Sequence, residues 1–149
     1  MIIEIDQSGK VENTSKDTVI GYSNNRYGSI IIKAKEKRAV QKVFRSINKR
    51  RVFVYRVFLI LIFLLIKKDL KKIDMVIIDR EYPGKSNLIK HYLLQEIRKI
   101  HPAFSKESIM FKEIGKRSKA HYVAYGVAAG KKEADISCSA KDILKFIIK

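Results

Sequence analysis

Cysteine is nearly absent from this 149-residue chain: Cys138 is the only one. No intramolecular disulfide can form and no cysteine-based zinc site can be built. That suits a reducing compartment, and the expected localisation is cytoplasmic. Proline (2) and glycine (7) are also scarce, while Ile, Val and Leu recur throughout. Low complexity and disorder are thereby excluded, and 46% apolar residues suffice for one real core. The start, Met1-Ile2-Ile3-Glu4-Ile5-Asp6, lacks the basic-then-apolar pattern of a signal peptide. Nucleotide and hydrolase signatures are missing too. There is no G-x-x-x-x-G-K-[ST], no G-x-G-x-x-G after a strand, no G-x-S-x-G and no H-E-x-x-H. Gly84-Lys85-Ser86 matches only the tail of a phosphate loop.

Acidic residues are the other shortage, 15 against 32 Lys and Arg, which leaves a formal net charge of +17. Such a shell repels itself unless an anion neutralises it, so nucleic acid or an anionic surface is the expected partner. A long hydrophobic run is missing as well. Residues 52–66 are strongly apolar, but Arg56 interrupts them and only Val57 to Ile66 is continuous. A membrane span needs about 20 such residues. The flanks, Lys49-Arg50-Arg51 and Lys67-Lys68, show no asymmetry of charge. The segment reads as a core helix, with surplus apolar surface for a homodimer.

What is present has a clear order. Ile2–Asp6, Thr18–Tyr22 and Ser29–Lys33 read as three strands of an antiparallel meander, separated by turn residues. From Ala34 the apolar period becomes helical, with Val40, Val43, Phe44 and Ile47 on one face. A single helix from Lys35 to Ile73 would run about 58 Å. A domain of this size is only about 40 Å across, so a break is expected. Asn48-Lys49-Arg50-Arg51 is the place for it, unless Val52 to Val57 forms an extended piece. Asp74–Asp79 is apolar on both faces until its last residue, the mark of a buried central strand. A helix capped by Ser86 and running to about Ile100 follows, then a strand over Ser108–Ile114. Ser118 caps a helix from Lys119 to about Ala129, with Gly130 beyond it, and Ser139 opens a last helix, Ala140 to Ile148. The sum is one α/β domain, 1–149: a mixed five-stranded sheet with helices on both faces.

Two aspartates end apolar strands, Asp6 on the first and Asp79 on the fourth. A carboxylate there is costly unless paired, hydrogen-bonded or bound to metal. With these two strands adjacent, both acids emerge on one edge as hard oxygen ligands suited to Mg²⁺ or Mn²⁺. The plainer alternatives are a turn of Asp6 with Ser8 and Gly9, and pairing of Asp79 with Arg80 or Lys85. His121 lies one turn into the helix after the fifth strand, while His91 and His101 read as helix-surface and helix-end residues. A further acidic ligand could come from Glu4, Glu81, Glu113, Glu133 or Asp135. Lys10, Lys85, Lys116, Arg117 and Lys119 are the candidate phosphate contacts.

The pattern resembles the ribonuclease H-like superfamily. Ile3-Glu4-Ile5-Asp6-Gln7-Ser8-Gly9 is similar to that family's first-strand aspartate and turn. Val76-Ile77-Ile78-Asp79-Arg80-Glu81-Tyr82 looks like its fourth-strand acid, and Ser118-Lys119-Ala120-His121-Tyr122-Val123-Ala124 like the helix carrying its last ligand. An Asp-Asp-His set is similar to Argonaute slicer domains and to some junction resolvases of the RuvC type. The resemblance covers nearly the whole chain in element order. It departs from the family in lacking a further acid beside His121, and in the long apolar 52–66 segment. It implies a nuclease hydrolysing DNA or RNA with two Mg²⁺ or Mn²⁺ ions, roughly 4 Å apart. Asp6 would bridge both ions, Asp79 would hold one, and His121 would hold the other or protonate the leaving group. The alternatives are a catalytically inactive nucleic-acid-binding module of the same fold, or a membrane-associated interaction protein using residues 52–66.

Overall fold

A computed structural model describes residues 1–24 and 26–147. The meander forms as expected, with slightly different ends: β1 (Ile2–Ser8), β2 (Thr18–Ser23) and β3 (Tyr27–Ile32). Next come α1 (Ala34–Ser46), α2 (Phe53–Ile66), β4 (Met75–Asp79), α3 (Ser86–Ile100), β5 (Ile109–Lys112), α4 (Lys119–Ala128), β6 (Ile136–Cys138) and α5 (Ala140–Leu144). The sheet order is β5-β4-β1-β2-β3-β6. β1, β2 and β3 pair antiparallel, while β4 joins β1, β5 joins β4 and β6 joins β3 in parallel.

The sheet therefore has six strands, not five. Three residues are too few to show the alternation that marks a strand in sequence, so β6 is hidden between two helices. Its pairing with β3 is extended by Asp135, whose carboxylate accepts from Ser29 N at 2.9 Å while Ser29 Oγ accepts from Asp135 N at 3.2 Å. Other boundaries also shift. Ser86 is the first residue of α3, and Lys85 precedes it without a side-chain cap. β5 stops at Lys112 rather than Ile114. α5 ends at Leu144, and Ile148 lies outside the described residues.

The helical break falls where the basic cluster predicts it. Asn48 takes a left-handed φ of 58°, Asn48 N donates to Arg45 O at 3.2 Å, and Lys49 N donates to Phe44 O at 2.8 Å. This pair of bonds closes α1, and asparagine is among the few non-glycine residues that tolerate the conformation. Val52–Val57 is not extended: after one 3-10 turn, Arg50–Val52, the chain re-enters a helix.

α2 is the centre of the core. Ten of its fourteen residues are buried, packed with Ile3, Ile5, Ile20, Ile30, Val76 and Ile78 from the sheet and Ile89, Leu93 and Ile97 from α3. An apolar helix wrapped on all sides needs no polar face. At about 21 Å it is shorter than a bilayer's apolar thickness of about 30 Å. Among the described residues no helix is long and apolar enough to cross a membrane.

Among the described residues the opposite face of the sheet is covered by α4, through a small second core of Val19, Ala124 and Val127. Gly21 on β2 permits this approach, since a Cβ there would lie 2.8 Å from Ala124 N and 3.1 Å from Ala120 O. Backbone atoms cannot swing aside. Gly21→Ala is therefore expected to destabilise the fold by about 1–3 kcal/mol, despite the entropy that alanine removes from the unfolded chain. A lowered urea midpoint with an unchanged slope is the signature to look for.

Candidate metal centre

Alternation along β1 decides what faces α4. Ile3 and Ile5 point to the main core, so Glu4 and Asp6 point to the other face. The same rule on β4 sends Val76 and Ile78 inward and Asp79 outward with Asp6. Parallel pairing runs from Ile2 opposite Met75 to Ile5 opposite Ile78. One step further, Asp6 and Asp79 come side by side.

Glu81 completes the group. Just past β4 the backbone folds sharply, Glu81 N donating to Asp79 O at 2.9 Å. One ligand oxygen from each of Asp6, Asp79 and Glu81 lies within 4.8 Å of the others, the sole such acidic, histidine or cysteine group among the described residues. Among the described residues none of the three forms an ion pair with a Lys or Arg. Arg80 instead donates to Phe111 O at 3.3 Å, and Lys85 sits over the Tyr55 ring at 5.5 Å. The pairing of Asp79 with Arg80 or Lys85, the plainer alternative, is not formed.

Hydrogen bonds fix two of the carboxylates. Asp6, only 7% exposed, accepts from Gln7 N at 2.8 Å through Oδ1. Its Oδ2 lies 3.1 Å from His121 Nδ1. Asp79 Oδ1 accepts from Ile114 N at 2.9 Å, just past the end of β5. Burial pushes the Asp6 carboxyl above its ordinary value, against the Gln7 N–H, with the Asp79 charge adding to the rise. Glu81 is pushed further, to about 8, by burial first and then by hydrogen bonding and repulsion from Asp79 and Asp6. Metal-free, Glu81 thus holds its proton to higher pH than an ordinary glutamate.

His121 is held by α4, whose first turn is capped by Ser118 Oγ accepting from Ala120 N at 3.2 Å. The same Oγ donates to Glu4 Oε1 at 2.9 Å, tying the helix start to β1. The ring also stacks on Tyr125 with centroids 6.3 Å apart. His121 touches the group through Asp6 but lies outside the three-carboxylate cluster. Of the other acids weighed from sequence, Glu4 is taken by Ser118 and Asp135 by Ser29, while Glu113 and Glu133 are exposed and outside the cluster. Glu81 belongs to no strand or helix, and only its two-residue spacing from Asp79 hinted at it.

All five candidate phosphate contacts, Lys10, Lys85, Lys116, Arg117 and Lys119, are exposed. Arg117 and Lys119 line an open groove of about 380 Å³ beside Glu4 and Ile77, on the same sheet face as Asp6. Three uncompensated carboxylates are a hard oxygen donor set, and their shared repulsion is what a divalent cation relieves.

Comparison with known proteins gives no matching family model, no matching curated protein and no matching solved structure.

The raised Glu81 value has a measurable consequence. Between the ordinary 4.5 and about 8 the folded chain binds more protons than the unfolded one, so metal-free stability falls as pH rises across that window. A divalent cation takes the proton's place. Mn²⁺ or Mg²⁺ is expected to raise the melting temperature more at pH 8 than at pH 5, and Glu81→Gln to flatten both dependences. A melting temperature indifferent to either ion at pH 8 would count against a metal site here.

Proposed function

We propose that this chain is a divalent-metal-dependent nuclease of ribonuclease H-like design. One observation carries the reading: three carboxylates without cationic partners, from the paired ends of β1 and β4, sit under a helix bearing His121 in a protein of net charge +17. The strand order β3-β2-β1-β4-β5, with α4 across the face opposite α2, supports the resemblance seen in sequence. The sixth strand adds to that arrangement at the β3 edge without touching the acidic group.

Asp6, Asp79 and Glu81 would hold the cations. When bound, a pair of such ions activates a water and stabilises the leaving oxygen of a phosphodiester. The chain's own residues do the rest. Deprotonated Glu81 and Asp6 supply negative charge that is already concentrated. Ile114 N holds Asp79 in place, and Gln7 N does the same for Asp6. With Nδ1–H donating to Asp6, His121 keeps Nε2 without a partner among the described residues, available to carry a proton to or from a substrate oxygen. Lys116, Arg117 and Lys119, at the start of α4, would neutralise the phosphates on either side of the scissile bond.

Asp6→Asn, Asp79→Asn and Glu81→Gln are each expected to lower Mg²⁺- or Mn²⁺-dependent cleavage by more than the roughly 10–100-fold typical of losing an outer-shell partner. Binding of nucleic acid in chelator should persist in all three and tighten in the two aspartate variants, where a repelling anion is gone. His121→Ala should cost less, since the carboxylates remain. Labelled single-stranded, duplex, hybrid and junction substrates provide the assay. Wild-type protein that binds but cleaves none of them, with either ion, would reduce the chain to a binding module. Equal cleavage by wild type and Asp6→Asn would remove the site assignment.

A further inference from the structure

On the sheet face opposite α4, the corner between α1 and α2 opens into a cleft of about 700 Å³. Its walls carry Arg45, Lys49, Arg50, Arg51 and Arg56, together with Tyr92 from α3, and no carboxylate among the described residues. Among the described residues the side chains of Arg45, Lys49, Arg50 and Arg51 have neither a hydrogen bond nor an ion pair. Arg56 is held in place: its guanidinium lies 4.6 Å over the Tyr92 ring, and it donates to Phe146 O at 3.4 Å. Yet its Nε is buried with no acceptor among the described residues. The first turn of α2 also starts here, with no side-chain cap on its N–H groups. Five cations and an orphaned guanidinium N–H converge on one space, and each calls for an anion.

We infer that this cleft binds consecutive phosphates of a nucleic-acid strand and is a second anchor for the substrate of the acidic centre. This rests on the nuclease reading for the identity of the substrate. Five cations exceed what one phosphate needs, and an open cleft suits a backbone passing through. A lipid surface fits less well, because α2 turns its apolar side chains into the core and leaves no apolar face to insert. Position argues the same way. Tyr55, beside Arg56 in sequence, packs edge-on against Tyr82 at 5.7 Å, and Tyr82 follows Asp79 by three residues. Lys85 lies over that same Tyr55 ring. The helix start beside the cleft and the chain just past Asp79 are thus packed together, with Lys85 against the same tyrosine.

The test compares two triple variants that remove equal charge from exposed positions. Arg45→Ala/Arg50→Ala/Arg51→Ala empties the cleft. Lys67→Ala/Lys71→Ala/Lys72→Ala does the same at the far end of α2. Fluorescence anisotropy with a short duplex DNA and a single-stranded RNA, in chelator across a salt series, reads binding without cleavage. The cleft variant should bind about tenfold or more weakly, with a duplex salt slope reduced by about 0.9 for each phosphate it no longer neutralises. The control variant should stay within about twofold of wild type at moderate salt, where distant surface charge is screened. Equal losses in both variants, or none in the first, would overturn the assignment. So would a cleft variant that binds nucleic acid normally but loses vesicles of anionic lipid. Selective loss of binding in a protein that never cleaves would uphold the cleft and sink the nuclease reading instead.

Discussion

The parallel pairing of β1 with β4 is the constraint on which the site depends. Neither strand alone gathers negative charge. Aligned in register, each ends its apolar run in an aspartate, and both aspartates leave on the same face. The pairing is tied at its start as well, where Asp74 N donates to Met1 O and the terminal amine bonds to Lys72 O. Bringing the fourth strand next to the first requires the chain to cross over the sheet after the meander. α1 and α2 make that crossing, and the buried apolar length of α2 follows from lying under the middle of the sheet with α3 beside it.

The two faces divide the work. One carries nearly all of the apolar core. The other has a single helix packed by small residues against a glycine, and its remaining surface stays open beside the acids. Packing energy is concentrated on one side, and polar chemistry is left on the other. The cost of burying Asp6, Asp79 and Glu81 together is sustained by a core that does not involve them.

Much of this was legible in sequence, for identifiable reasons. The meander, β4, α3 and α4 have strong periodicity, and α4 has a cap that acts locally. The helical break could be placed because a long straight helix would not fit the domain, and Asn48 supplied the conformation to end it. Asp6 and Asp79 stood out because charge at the end of an apolar strand has few inexpensive explanations. Glu81 stood out less, because its place in the cluster comes from a bend of the backbone after β4, which no period encodes. β6 was invisible at three residues, held largely by its neighbour. The start of α3 moved by one position because Lys85, not Ser86, is the residue outside the helix.

The sheet's two edges have a consequence for how the chain behaves among its own copies. Its outermost strands, β5 and β6, offer four and three residues. A strand added from another molecule would find few free backbone groups to pair with, and on β5 it would meet the exposed Lys112. A chain rich in β-branched residues is thereby discouraged from growing its sheet through its neighbours, and the six strands remain a closed set.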